Sequence, residues 1–166
     1  MAHFYYYLIA SLPTLDFQGK PSMSVEDFLV QCEDSLSKND SHLMRQLLAD
    51  FKEDIRTTNF FVRRWQVFQH SFRNELAYYR AQRANKNPQE HIRGERIFTP
   101  HLGAAIQEAG RESNLLLAER MLDKIRWQYL DELSQGHYFD LESLLGYGLK
   151  LKLLARDQFI YYSKGQ

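Results

Sequence analysis

Few side chains in this sequence are able to carry chemistry, and none is set beside the partner its chemistry needs. Six histidines (His3, His42, His70, His91, His101 and His137) show no close metal-ligand pairing, and no HExxH occurs. Glu119 with Asp123, and Asp131 with Glu132, are the paired carboxylates an acid–base site would use. On a helix such spacing is ordinarily a solvated face knit by i to i+4 salt links, and that plainer reading outweighs the catalytic one. Cys32 lies on an apolar face, where a small buried thiol is expected before a nucleophile. There is also no glycine-rich phosphate loop and no nucleophile elbow. The sequence therefore assigns no catalytic residue, no metal ligand and no cofactor, and the chain reads as a non-enzyme.

Its sharpest binding feature is the basic, aromatic segment 60–86, with six Lys or Arg against one Glu and with Trp and Tyr between them. Such a segment can track a nucleic-acid backbone and stack bases. Its aromatics fall on one helical stripe (Phe61, Trp65, Phe68, Phe72, Leu76, Tyr79), which is what a buried face looks like. The opposite face carries Arg63, Gln66, His70, Arg73, Ala77 and Arg80. Core plus a solvated or partner-facing surface is the favoured reading; a module binding nucleic acid or an acidic partner is the alternative.

The elements that hold these residues are helical almost throughout. Ser24 with Asp27 forms an approximate capping box, after which Val25, Phe28, Leu29, Cys32 and Leu36 share a face. After the short break SKNDS, with Asn39, Asp40 or Ser41 as cap, Leu43, Met44, Leu47, Leu48, Phe51 and Ile55 predict a second, antiparallel helix. The long helix follows Thr58 and Asn59 and runs to about Lys86, where NKNP stops it. Thr99 and Pro100 start a short helix ending near Gly110. Leu115, Leu122, Ile125, Tyr129 and Leu133 mark the next, which ends at Gly136. Asp140 caps the last helix, whose stripe is Leu141, Leu144, Leu145, Gly148, Leu151, Ala155 and Phe159. Gly146 and Gly148 inside it signal close packing or a bend, since glycine there costs roughly 0.5–1 kcal/mol against alanine. The expected architecture is all-α: an antiparallel bundle of six or seven helices, the aromatic start included, in a single domain over 1–166.

Composition sets the remaining bounds. With 44% hydrophobic residues the chain can bury a core, and one cysteine permits no internal disulfide, which fits a reducing, cytoplasmic compartment. The start, HFYYYLIASLP, lacks the basic segment, apolar run and cleavage site of a signal peptide, and no apolar run reaches the roughly 18 residues of a membrane span. The net charge of zero hides a gradient: 7 acids and 3 bases over 1–50, 5 acids and 10 bases over 51–99, and 9 acids and 8 bases over 100–166. Oriented contacts, within the chain or with a partner, suit that gradient better than general nucleic-acid binding.

Two stretches resemble a known family. YYYLIASLPTL followed by SMSVEDFLVQC, and WQYLDELSQGHYFDLESLLGYGLKLKLLARDQF, are similar to an uncharacterised bacterial family associated with V/A-type ATPases. That family is in turn similar to the C subunit of the rotary ATPase, called d in eukaryotes. The C subunit is a longer, all-helical funnel built of repeats, which sits on the membrane rotor ring, receives the central shaft and does no chemistry. The resemblance implies a shortened repeat unit acting as a coupling subunit or accessory, with shaft and ring subunits as partners. It also implies a cytoplasmic place on the inner face of the cell membrane, held there through those partners without a span of its own. Tyr5, Tyr6, Tyr7 and Leu8 would be wedged between neighbouring helices. In the family's last helix an aromatic is followed by acids and an arginine; Tyr147 and Arg156 match, whereas Lys150 and Lys152 stand where acids are expected. By exposure and charge, the candidate partner contacts are Arg63, Arg73, Arg80 and Arg83 on the long helix and Lys150, Lys152 and Arg156 on the last.

Overall fold

The computed structural model describes residues 3–50, 53–96 and 100–163, with side chains described as far as residue 157. Among them are seven α-helices: α1 (Tyr6–Ser11), α2 (Val25–Ser35), α3 (Lys38–Leu48), α4 (Phe60–Arg83), α5 (Pro100–Arg111), α6 (Leu115–Leu133) and α7 (Leu141–Ser163). A 3₁₀ turn lies at Pro88–Glu90, and Phe4 and Asp140 form an isolated antiparallel bridge. The described residues form no strand, and the fold is an all-α helical bundle. Its contacts divide into two compact units, Met1–Val62 with Trp127–Gln166, and Arg63–Arg126; the boundaries fall inside α4 and α6.

In the first unit, α2 begins as its sequence dictates: Ser24 Oγ accepts the Asp27 N–H at 3.0 Å. Phe28, Leu29, Cys32 and Leu36 are buried. The cap of α3 is Ser37, whose Oγ accepts the Asp40 N–H at 3.2 Å, and not Asn39, Asp40 or Ser41. Leu36 leaves α2 in an extended conformation, so the chain re-enters a helix one residue later. Arg45, late in α3, pairs with Glu33 and, at 3.6 Å, with Glu26 early in α2, which makes the two helices an antiparallel hairpin. Although apolar spacing predicts continuation through Ile55, α3 stops at Leu48. Ala49 is extended, and Lys152 of α7 holds the exit, donating to the Ala49 carbonyl at 3.4 Å and pairing with Asp50 at 2.8 Å. Ile55 sits in irregular chain; Phe51 lies outside the described residues.

The central element of this unit is α7. Asp140 caps it, its Oδ1 accepting the Ser143 N–H at 3.0 Å. Leu141, Leu144, Leu145, Leu149, Leu151 and Leu154 are all buried. A helix buried on so many sides needs places where neighbours can approach, and Gly148 is one. A Cβ there would come within 2.9 Å of Phe28 Cε1, 3.1 Å of Leu48 Cδ1 and 3.2 Å of Met44 Sδ. Its helix-propensity cost of about 1 kcal/mol is offset by full burial of Phe28 and Met44, each contributing roughly 1.5–3 kcal/mol. The side chain of Phe159, the last position of the predicted stripe, lies outside those described.

The aromatic start is not wedged as the resemblance implied. Leu8 is buried and Tyr5 half-buried, but Tyr6 is 57% and Tyr7 95% exposed. With only six residues, α1 has one buried position and cannot enclose two neighbouring tyrosines that point to different sides.

The second unit packs α5 and the first part of α6 on the aromatic stripe of α4. Phe72, Ile106, Ala109 and Leu122 form its core, sealed by Phe68, Leu76, Tyr79, Leu102, Met121 and Ile125. Within two or three residues of the expected end, α4 stops at Arg83: Asn85 takes a left-handed conformation (φ 54°) and the Lys86 N–H closes on the Ala81 carbonyl at 2.9 Å. Pro100 opens α5, while Thr99 lies outside the described residues. Asn114 caps α6 through the Leu116 N–H at 3.0 Å. Charges are built into this core. Arg96 grips Glu75 with two hydrogen bonds (2.8 and 3.2 Å) and lies 3.6 Å from the centre of the Tyr78 ring. Asp123 pairs with Arg126 at 2.7 Å, under which the Phe72 ring sits at 4.1 Å. Asp123 is therefore buried in an ion pair and does not belong to a solvated face.

Candidate functional site

The seven candidate contact residues fall into two groups with different surroundings. On α4, Arg63 and Arg73 are exposed and have no ion pair among the described residues. Arg80 stands 3.9 Å from Glu119, and Arg83 donates to the Gly110 carbonyl at 2.7 Å, neutralising the carbonyl end of α5. Of the three candidates on α7, Arg156 alone is exposed. The exposure expected of Lys150 and Lys152 is not found, because both ammonium groups are drawn into ion pairs of their own unit. Lys150 pairs with Asp131 and lies 4.8 Å from the centre of the Trp127 ring. Lys152 pairs with Asp50 and holds that carboxyl below the usual carboxylate range. Lysines where the resembling family has acids thus have acids across from them, in α6 and after α3.

In the second unit, Arg80 and Arg83 stand at the mouth of a groove of about 380 Å³. Its floor is Leu76, Ile106, Ala109 and Leu122, and its rim also carries Glu112 and Glu119. Gly110 shapes one wall, because the Tyr79 ring lies where a side chain would project. Leu115, at the edge, is 72% exposed. The groove thus has an apolar floor and a rim that carries both signs of charge.

A second cavity, of about 330 Å³, lies in the first unit between the chain after α1 and the start of α7. Tyr147, on its wall, donates to the Pro13 carbonyl at 2.7 Å and packs on Phe28; burial raises its pKa above 10.0. At the N-terminus of α7 the ligand-type atoms of His137, Asp140 and Glu142 come within 4.8 Å of one another, a grouping that sequence spacing did not single out. These atoms serve the backbone and its neighbours. His137 Nδ1 is 2.6 Å from Asp140, Asp140 caps the helix, and Glu142 accepts from Asn59 at 3.3 Å. Burial pushes the Cys32 thiol up to about 12, so it is protonated and inert at neutral pH.

The sequence reading missed a surface in the first unit. Phe4, Tyr6, Tyr7, Tyr138 and Phe139 are all substantially exposed. Phe4 stacks on Tyr6 (centroids 5.8 Å apart), and Tyr6 tilts against Phe139 (5.0 Å). Beneath them the Tyr5 N–H donates to the Phe139 carbonyl at 2.7 Å, and the Tyr5 hydroxyl donates to Asp40. The available signal was local: Tyr138 and Phe139 lie in the short turn between Gly136 and the cap Asp140, where few positions can be buried.

Residues 102–166, which take in most of α5 and all of α6 and α7, match a family described as Protein of unknown function (DUF2764). No curated protein and no solved structure matches the chain.

Proposed function

We propose that this chain is a non-catalytic coupling subunit or accessory of a bacterial V/A-type ATPase, similar to the C subunit, linking the membrane rotor ring to the central shaft. In that role it works in the cytoplasm, held on the inner face of the membrane by its partner subunits. One observation carries the reading furthest. The two stretches that resemble the family, at opposite ends of the sequence, fold into one unit, joined by Tyr147 to Pro13, Tyr5 to Phe139 and the packing of α7 on α2 and α3. No helix among the described residues is long and apolar enough to cross a membrane, which is compatible with attachment through partners.

The alternative, a module for nucleic acid or an acidic partner, draws support from the exposed Arg63 and Arg73. Phe61, Trp65 and Phe72 are buried, which withdraws three of the segment's rings from stacking on bases, while Phe60 at its start is 67% exposed. The deciding experiment is purification of the tagged protein from its own host in mild detergent, with mass spectrometry of what accompanies it. The expected companions are V/A-type ATPase shaft or ring subunits, retained through moderate salt and depleted when Arg73→Glu and Arg80→Glu are combined. That double variant should keep its melting behaviour, since exposed charges contribute only about 0–1 kcal/mol to folding. Recovery of nucleic acid alone, or of no ATPase subunit, overturns the proposal.

A further inference from the structure

We infer that residues 84–96 form a strap latched onto α4, which opens and closes as one unit while the core of the second unit stays folded. Between Arg83 and Pro100 the chain runs far longer than the roughly 2–8 residues that usually join two helices. Two consecutive residues of α4 hold it. The Asn74 amide bonds the Arg93 backbone twice, its Nδ2 donating to the carbonyl at 2.8 Å and its Oδ1 accepting the N–H at 3.0 Å. Glu75 accepts two bonds from Arg96, at 2.8 and 3.2 Å, and that guanidinium lies 3.6 Å from the centre of the Tyr78 ring. Gly94, in a left-handed conformation (φ 71°) that favours glycine, turns the chain between the two anchors.

The latch is polar, whereas the core beneath it is apolar. None of residues 84–96 is buried, and only Pro88 and Ile92 are half-buried. The core of Phe72, Ile106, Ala109 and Leu122 takes no residue from the strap. A segment tied by hydrogen bonds, with few apolar contacts, opens far more readily than the fold it lies on. Closure in turn gives Asn74 and Glu75, 9% and 5% exposed, the partners that such covered polar groups need. Gly94 and Glu95 alone separate the anchors Arg93 and Arg96, so releasing one loosens the other. Glu75 is the single acid in the sequence of α4, and the strap therefore controls whether that helix presents a carboxylate among its arginines. This device stands apart from the ATPase reading and is tested without it.

The test is native-state hydrogen exchange of the full chain, followed by NMR over a series of urea concentrations below the melt. The Arg93 amide reports the strap and the Ile106 amide the core. Arg93 should exchange more slowly than in an unfolded chain, faster than Ile106, and at a rate that urea leaves unchanged, whereas Ile106 should speed up with urea. Glu75→Gln and Arg96→Gln each weaken the anchor that does not touch the Arg93 amide. Each should speed Arg93 exchange by about tenfold or more and leave Ile106 as it was. Exchange at Arg93 that follows Ile106 through the urea series overturns the inference, as does a rate equal to that of the unfolded chain. So does an Arg93 rate that either variant leaves unchanged, or one that changes only in step with Ile106.

Discussion

Residues 1–62 with 127–166 and residues 63–126 solve the same packing problem in different ways. The first unit lets helices approach over small residues, Gly148 beneath Phe28, Met44 and Leu48, with the thiol of Cys32 closed off from water. The second rests on the broad ring of Phe72 and seats two carboxylates, Glu75 and Asp123, each with an arginine that also lies over an aromatic ring. Interdigitated apolar helices contribute through burial and tolerate changes of ionisation except where a titratable group is trapped. In a core holding ion pairs, losing one partner leaves the other's charge poorly compensated. The two tryptophans, Trp127 in the first unit and Trp65 in the second, let each be followed separately by fluorescence.

The largest effect is expected from Trp65→Ala, which should lower the stability of the second unit by about 3–5 kcal/mol, read in a urea melt by circular dichroism. Trp127 in the same variant then shows whether the first unit unfolds at the same urea concentration. Phe68→Ala should cost less, because Phe68 is only half-buried. A Trp65 loss under about 1 kcal/mol would mean the aromatic stripe is not the core of its unit.

Next in size is Asp123→Ala, which takes the buried carboxylate away from the largely covered Arg126 and should cost about 3 kcal/mol. An ion pair worth no more than an exposed one, about 1 kcal/mol or less, would erase the contrast drawn between the two cores.

A different kind of contrast is the alkaline pH dependence that a buried thiol gives the first unit. The folded pKa of Cys32 is raised from 9.0 to about 12 by burial, so its contribution is fully present below 9.0 and is lost as the pH rises toward 12. Tyr5 and Tyr147, both raised above 10.0 chiefly by burial, add to the loss further up. Urea melts of the Trp65→Phe chain, read through Trp127, should show the decline, and adding Cys32→Ala should remove its first part. An unchanged slope would mean that water reaches the thiol.

Helix number, the caps Ser24 and Asp140, and the buried stripes of α2, α4 and α7 could all be read from periodicity and capping chemistry, because those signals are local. What escaped depends on residues far apart. Lys152 ends α3 from a helix that comes much later, and nothing near Leu48 announces it. Asp123 looks like any carboxylate of a salt-linked helix face until Phe72 and Arg126 close over it. Tyr6 and Tyr7 look like core because aromatic residues usually are, yet a six-residue helix has too little covered surface for them. Among the candidate contacts, the exposure of the α4 arginines could be read from the sequence, whereas the pairing of Lys150 and Lys152 could not.

The discontinuity of the first unit has a consequence for synthesis. A ribosome delivers α2 and α3 early, with Phe28, Met44 and Leu48 ready to pack, but the helix that carries Gly148 arrives only after the whole of 63–126 has emerged. The second unit is continuous in sequence and can close as soon as α6 is released, whereas the first must keep its apolar faces waiting. During that interval the apolar side chains of Phe28, Met44 and Leu48 lack the helix that covers them in the finished fold. Slowing translation between α3 and α7 would lengthen that exposure, making the early hairpin the segment on which a chaperone has most to do.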